Sequence, residues 1–78
     1  MYIYTLETYE FYESPTVCMI SHDYNTIKTC FNNYQIHDGQ GMCIIKYECD
    51  KLLNYEDRKH LDWIEIDYDG VFKDLKKH

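Results

Sequence analysis

Hydrophobic and polar positions along the chain switch between a two-residue period and a three-to-four-residue period, and the switches mark out the elements. From Tyr2 to Tyr12 aromatic and aliphatic residues are interleaved with polar ones, Tyr2, Tyr4 and Leu6 on one parity and Tyr9 and Phe11 on the other. That is the pattern of a strand, and its change of parity predicts a bulge near Thr8 that returns the later aromatics to the first face. Glu13-Ser14-Pro15-Thr16 reads as a turn, because proline presets φ and serine favours turns. Thr16 to His22 then makes the returning strand of a β-hairpin. Asp23 is a good helix cap, and Tyr24, Ile27, Cys30, Phe31 and Tyr34 after it fall on one helical face. His37-Asp38-Gly39-Gln40-Gly41 predicts a loop, since two glycines flanking one residue break either regular structure. Beyond it Cys43, Ile45, Tyr47 and Cys49 alternate with Met42, Ile44, Lys46 and Glu48, a strand half-apolar on both faces and therefore central. Lys51 to Leu61 admits two readings, one or two helical turns capped by Asn54 followed by Asp57, or a long loop. Trp63 to Tyr68 is a last strand with Ile64, Ile66 and Tyr68 inward and Trp63, Glu65 and Asp67 outward, ended by Gly70.

The order strand, strand, helix, strand, strand predicts an α+β fold of ββαββ order, a small antiparallel sheet with one helix packed on one face. Residues 1–78 make a single compact domain, with 71–78 a basic tail that frays or adds a short helix. The other face of such a sheet is left to water or to a partner, and a second copy of the chain, giving a homodimer, is one candidate cover.

Composition narrows the function more than the fold. Seventy-eight residues leave no room for a two-domain cofactor enzyme, and 8 Lys and Arg against 14 Asp and Glu set the net charge at −6. So acidic a chain repels phosphate backbones, which argues against direct nucleic-acid binding. The 45% hydrophobic and 17% aromatic content separates it from acidic disordered tails, which lack the apolar surface to offset chain entropy. No apolar run approaches the ~20 residues of a membrane helix, and MYIYTLETYE lacks an export signal, so the expected location is cytoplasmic. Alanine is absent while Tyr, Ile, Lys and Asn are abundant, a bias towards AT-rich codons common in phages and low-GC bacteria.

Cys18, Cys30, Cys43 and Cys49 are even in number, yet without an export signal the expectation is reduced, mostly buried thiols. On one strand Cys43 and Cys49 would lie about 20 Å apart and Cys18 and His22 about 13 Å, too far for a disulfide or shared ligation. Neither pair has the close spacing of a zinc site, and no metal or other cofactor is expected.

The hairpin, the helix opening after Ser21 and the strand GMCIIKYECDK resemble small phage and bacterial ββαββ domains over residues 2 to 50. In size and acidity the chain also resembles phage anti-defence proteins of the anti-CRISPR or anti-restriction type, some of which imitate DNA. The resemblance implies a phage-encoded inhibitor acting in the host cytoplasm and assigns no functional residue.

Catalytic chemistry has little to work with. His22 beside Asp23, His37 beside Asp38, and His60 two residues before Asp62 are the acid-base candidates. Neighbours on a strand point to opposite faces, so such pairs rarely form a dyad. His37 is the best placed of the three. The loop Asp38-Gly39-Gln40-Gly41 lacks the lysine and the spacing of a phosphate cradle, and its carboxylate opposes an anion.

Acidic residues are more informative. Glu7, Glu10, Glu13 and Asp23 all precede Lys28, the first Lys or Arg, which makes the hairpin negative. Glu65, Asp67 and Asp69 share parity with Trp63 and would project from one side of a strand at about 6.6 Å intervals. Aligned carboxylates repel one another, a cost relieved where a cationic partner neutralises them. A solvated face that keeps the protein soluble is the plain alternative. The leading expectation is a non-enzymatic acidic inhibitor that docks on a basic nucleic-acid-binding surface of a host defence protein. Its partner-binding residues would be Glu7, Glu10, Glu13, Trp63, Glu65, Asp67 and Asp69, with aromatics and carboxylates gripping an Arg-rich surface. A structural or oligomerisation module, and a small hydrolase or nuclease using His37 and Asp38, are the alternatives.

Overall fold

The computed structural model describes residues 1–50 and 58–74. It contains strand β1 (Tyr2–Glu10), strand β2 (Thr16–Ser21), helix α1 (Tyr24–Asn33), and strands β3 (Gln40–Glu48), β4 (Lys59–Ile66) and β5 (Phe72–Asp74). The strands form one antiparallel sheet in the order β2-β1-β3-β4-β5. The expected α+β class holds, while the element order gains a strand and becomes ββαβββ. Phe72–Asp74, read from sequence as part of a frayed or helical tail, instead pairs with Ile64–Ile66 along β4. Three residues including a lysine and an aspartate are too few to show an alternation. The helix-or-loop question at 51–57, with both proposed caps, lies outside the described residues, as do 75–78.

Helix α1 starts where its cap predicts. Asp23 has extended backbone, and its carboxylate accepts from the Asn25 N–H at 3.1 Å and from the Thr26 hydroxyl at 2.8 Å. This satisfies one of the amides that a helix N-terminus leaves open. Tyr34, extended at φ −81°, ends the helix, its N–H reaching the Cys30 carbonyl at 2.9 Å. The inward stripe sets fully buried Ile27 against Leu6, Met42 and Ile44, with Tyr4, Met19, Tyr24, Cys30, Phe31, Ile36, Leu61 and Ile64 packed around them. Burial of one such aliphatic side chain contributes about 1.5–3 kcal/mol.

Irregularities fall elsewhere than expected. β1 pairs with β3 continuously from Tyr2 to Glu10, so Thr8 is not a bulge. The shift lies in the edge strand, where Leu6 faces Met19 but Glu7 faces Val17, leaving Cys18 as the extra residue. A second shift in β4 pairs Ile44 with Asp62 and Ile45 with His60, leaving Leu61 extra. Tyr9 therefore stays on the face away from the helix, where its ring lies against Gly41. Gly41 belongs to β3 and not to the preceding loop. β4 begins at Lys59, four residues before the expected start, and ends at Ile66; Tyr68 lies beyond it at 67% exposure, not inward.

All four cysteines are free, but only Cys43 is buried, with Cys18 exposed and Cys30 and Cys49 between. Burial, followed by the nearby Glu7 charge, pushes the Cys43 thiol from its ordinary 9.0 up to about 12. A thiol-reactive probe at neutral pH is expected to label Cys18 first and Cys43 only at the rate of unfolding. Because the folded value is raised, stability from Cys43 is intact below the unfolded pKa and is lost as pH climbs from about 9 towards about 12.

Candidate functional site

The carboxylates singled out from sequence separate into two groups. Glu7 belongs to the interior. It lies on β1, between β2 and β3, on the face away from the helix, and is 3% exposed. Arg58 Nη2 meets its Oε1 at 2.8 Å, while the Thr5 hydroxyl at 2.7 Å and the Tyr47 hydroxyl at 3.2 Å both donate to Oε2. A buried carboxylate persists only when paired in this way. Glu7 is thus a structural anion, and the reading of it as a partner-facing residue is corrected.

Trp63 and Glu65 are half-buried and also engaged. The Trp63 indole N–H donates to the Tyr9 hydroxyl at 2.6 Å, and that hydroxyl donates to Glu65 Oε2 at 2.5 Å. Desolvation and the Glu65 hydrogen bond raise the Tyr9 pKa, so this chain keeps its proton at any working pH. Trp63 is part of an internal network, not the free apolar anchor expected.

The predicted row of Glu65, Asp67 and Asp69 does not form, because β4 stops at Ile66. Asp67 Oδ1 accepts the N–H groups of Asp69 and Val71, both at 2.9 Å, and its own N–H donates to the Val71 carbonyl at 3.1 Å. An aspartate whose side chain mimics a backbone turn in this way is a common turn former. Gly70, at φ +78°, supplies the left-handed residue that the turn needs.

What the fold assembles is an acidic end of the sheet, built from three connections. The end of β1 and the β1–β2 connection bring Glu10 and Glu13, the α1–β3 connection brings Asp38, and the β4–β5 turn brings Asp67 and Asp69. They are pinned together by backbone bonds from Phe11 N–H to the Gly39 carbonyl at 3.0 Å and from Gly39 N–H to the Ile66 carbonyl at 2.7 Å. The Phe11 and Tyr68 rings meet edge-on with centroids 5.5 Å apart. A Cβ placed on Gly70 would sit 3.7 Å from Asp38 Oδ1, which brings the second and third connections side by side. Tyr12 is 99% exposed on a backbone of φ 68°, a conformation bulky residues rarely adopt.

The one described basic side chain at this end is His37. Its Nε2 lies 3.0 Å from Glu10 Oε1 and its Nδ1 2.9 Å from the Asp38 carbonyl. The carbonyl contact, then the Glu10 charge, raises its pKa above the ordinary value. Both ring nitrogens of His37 face oxygen atoms, and among the described residues no hydroxyl or thiol is bonded to it to be activated as a nucleophile. The described Lys and Arg side chains are committed elsewhere: Lys28 to Asp62 at 2.8 Å, Arg58 to Glu7, and Lys46 over the Tyr2 ring at 3.7 Å. Lys59 sits opposite Lys46 at the far end of β3 and β4.

Sequence reasoning missed Asp38, Tyr12 and Tyr68 as members of this surface. In the sequence Asp38 reads as the acid-base neighbour of His37 and as unfavourable to an anion, and the second of these is the same property seen from the other side.

A groove of about 520 Å³ lies between α1 and β4, lined by Lys28, Phe31, Tyr34, Ile36, Asp62 and Ile64 among others. Asp62 accepts from Lys28 Nζ and from the Tyr24 hydroxyl, whose pKa this bond pushes up to about 12. Among the described residues no three His, Cys, Asp or Glu side chains converge as a metal site would require. No protein family, curated protein or solved structure matches the chain, so the functional reading rests on the geometry of its own residues.

Proposed function

We propose that the protein is a small acidic inhibitor, phage-encoded, that blocks a basic nucleic-acid-binding surface of a host defence protein. The observation that carries this reading is the convergence of Glu10, Glu13, Asp38, Asp67 and Asp69 from three separate connections onto one end of the sheet, with no described Lys or Arg side chain among them. Five carboxylates held by a rigid scaffold raise the local negative potential and steer a cationic surface towards it. Tyr12 and Tyr68 stand exposed among them, and aromatic side chains supply contact area and cation–π attraction to arginine. The contact set is therefore revised from the strand rows to these connections, with Glu7, Trp63 and Glu65 acting as internal support.

The test is capture of a host protein by the tagged chain at low and high salt, with duplex DNA as competitor. Binding is expected to weaken about tenfold or more between about 0.05 and 0.5 M salt, to be displaced by DNA, and to disappear in Glu13→Lys with Asp69→Lys. Both positions are exposed loop residues, so the fold should survive. A captured partner that holds on equally at both salt concentrations, or that binds the double variant unchanged, would refute the proposal.

A further inference from the structure

The sheet has two edges of different construction. β5 is three residues long, and brevity is a usual means of blunting an edge. β2 is twice as long, Thr16-Val17-Cys18-Met19-Ile20-Ser21, and no Asp, Glu, Lys or Arg stands between Glu13 and Asp23. Among the described residues it is paired on one side only, by β1. Val17 and Ile20 are 50% and 58% exposed, and Thr16 and Cys18 are exposed beside them. Val17 pairs with Glu7 and Ile20 with Thr5, so both project from the face away from the helix. The extra residue at Cys18 is what brings these two, three positions apart, to the same face. With Ile3 and Tyr47 they flank an open hollow of about 470 Å³.

We infer that β2 is a dimerisation edge, pairing antiparallel with β2 of a second copy and joining two five-stranded sheets into one. Two features of the chain select a copy of itself as the occupant. The first is charge. At −6 two copies repel, and Thr16–Ser21 is a sheet edge that brings no carboxylate of its own to the contact. The second is polarity along the strand. Thr16 pairs with Thr8, on the way to the acidic end at Glu10, while Ser21 pairs with Tyr4, near the end where Lys46 faces Lys59. Antiparallel pairing about a two-fold axis therefore sets the acidic end of each protomer beside the opposite end of its partner and keeps the two acidic ends apart. The pairing is also self-complementary. Facing residues of antiparallel neighbours project to one side, so Val17 and Ile20 of both copies form a single apolar cluster.

Light scattering across a wide concentration range, read together with backbone hydrogen exchange, tests this without reference to any inhibitory role. The wild-type mass is expected to double as concentration rises, with β2 amides slowing in step. Val17→Lys with Ile20→Lys should stay monomeric at every concentration with an unchanged circular dichroism spectrum. Glu13→Lys should still dimerise. A wild type that is monomeric throughout overturns the inference, as does a dimer whose β2 amides exchange as fast as the monomer's. A dimer that persists in the folded double variant overturns it equally. Should that variant fail to fold, the exchange data on the wild type decide alone.

Discussion

Arg58→Ala is expected to lower the stability of the fold by about 3–5 kcal/mol, because it leaves the Glu7 carboxylate buried without its counter-charge. For a domain of this size that is most of the available stability. The Arg58 side chain is 16% exposed and Glu7 4%, so water cannot replace the lost guanidinium without opening the sheet. Thr5 and Tyr47 would remain as donors, but two neutral hydrogen bonds do not balance a full charge in that setting. The companion substitution separates charge from packing. Glu7→Gln keeps an acceptor for Thr5 and Tyr47, so in an Arg58→Met background it should restore about 2 kcal/mol or more of what Arg58→Met alone costs. Urea unfolding of the four proteins of this cycle gives the coupling directly. Additive losses below about 1 kcal/mol would mean that the pair behaves as a solvated surface bridge.

Gly41→Ala is expected to be clearly destabilising, although it adds a single methyl group. Gly41 stands opposite Tyr9 on β1 and Glu65 on β4, and the Tyr9 ring lies flat over it. A Cβ there would fall 2.2 Å from Tyr9 Cζ and 2.4 Å from its hydroxyl oxygen. The ring cannot yield freely, since that hydroxyl links the Trp63 indole to Glu65. Overpacking of this kind costs about 1–3 kcal/mol. The protein has one tryptophan, so its fluorescence reports the displacement without labelling. Gly41→Ala should red-shift the emission, whereas the same substitution made on a Tyr9→Ala background should cost little beyond what Tyr9→Ala already costs. A clash with the backbone instead of the ring would make the two losses add.

These two residues also show where the sequence stopped being readable. The cap at Asp23 and the three-and-four spacing after it are local signals, and α1 lies where they put it. Pro15 likewise fixed the start of β2, and apolar residues on both parities of Met42–Tyr47 marked the central strand. The switch of parity between Leu6 and Tyr9 was misread for a physical reason. A bulge was inferred on the assumption that one face of β1 meets water. In the fold both faces are occupied, one by the helix and the other by the Glu7–Arg58 pair and the Tyr9–Trp63–Glu65 chain. Such a face reads as polar in sequence because its groups are satisfied by partners about fifty residues away. Lys59-His60-Leu61 reads as helical turn or loop and not as strand for a related reason, since the neighbouring Asp62 lies under the helix only because Tyr24 and Lys28 take up its carboxylate.

The acidic surface was half legible. Its excess charge, and the membership of Glu10, Glu13, Asp67 and Asp69, could be counted from sequence. Its shape could not, because the three connections meet only after β1 pairs with β3 and β3 with β4. The strand rows gave way to a patch at the end of the sheet, and with that change the aromatic contact moved from Trp63 to Tyr12 and Tyr68.

Titration of the isotope-labelled protein with an oligo-arginine peptide, followed amide by amide by NMR, addresses this surface most directly. The expected result is a set of shifts confined to Glu10–Glu13, His37–Gln40 and Asp67–Val71, fading as salt is added. Shifts spread equally over Asp23, Glu48 and Asp50, or gathered on the groove beside α1, would contradict it.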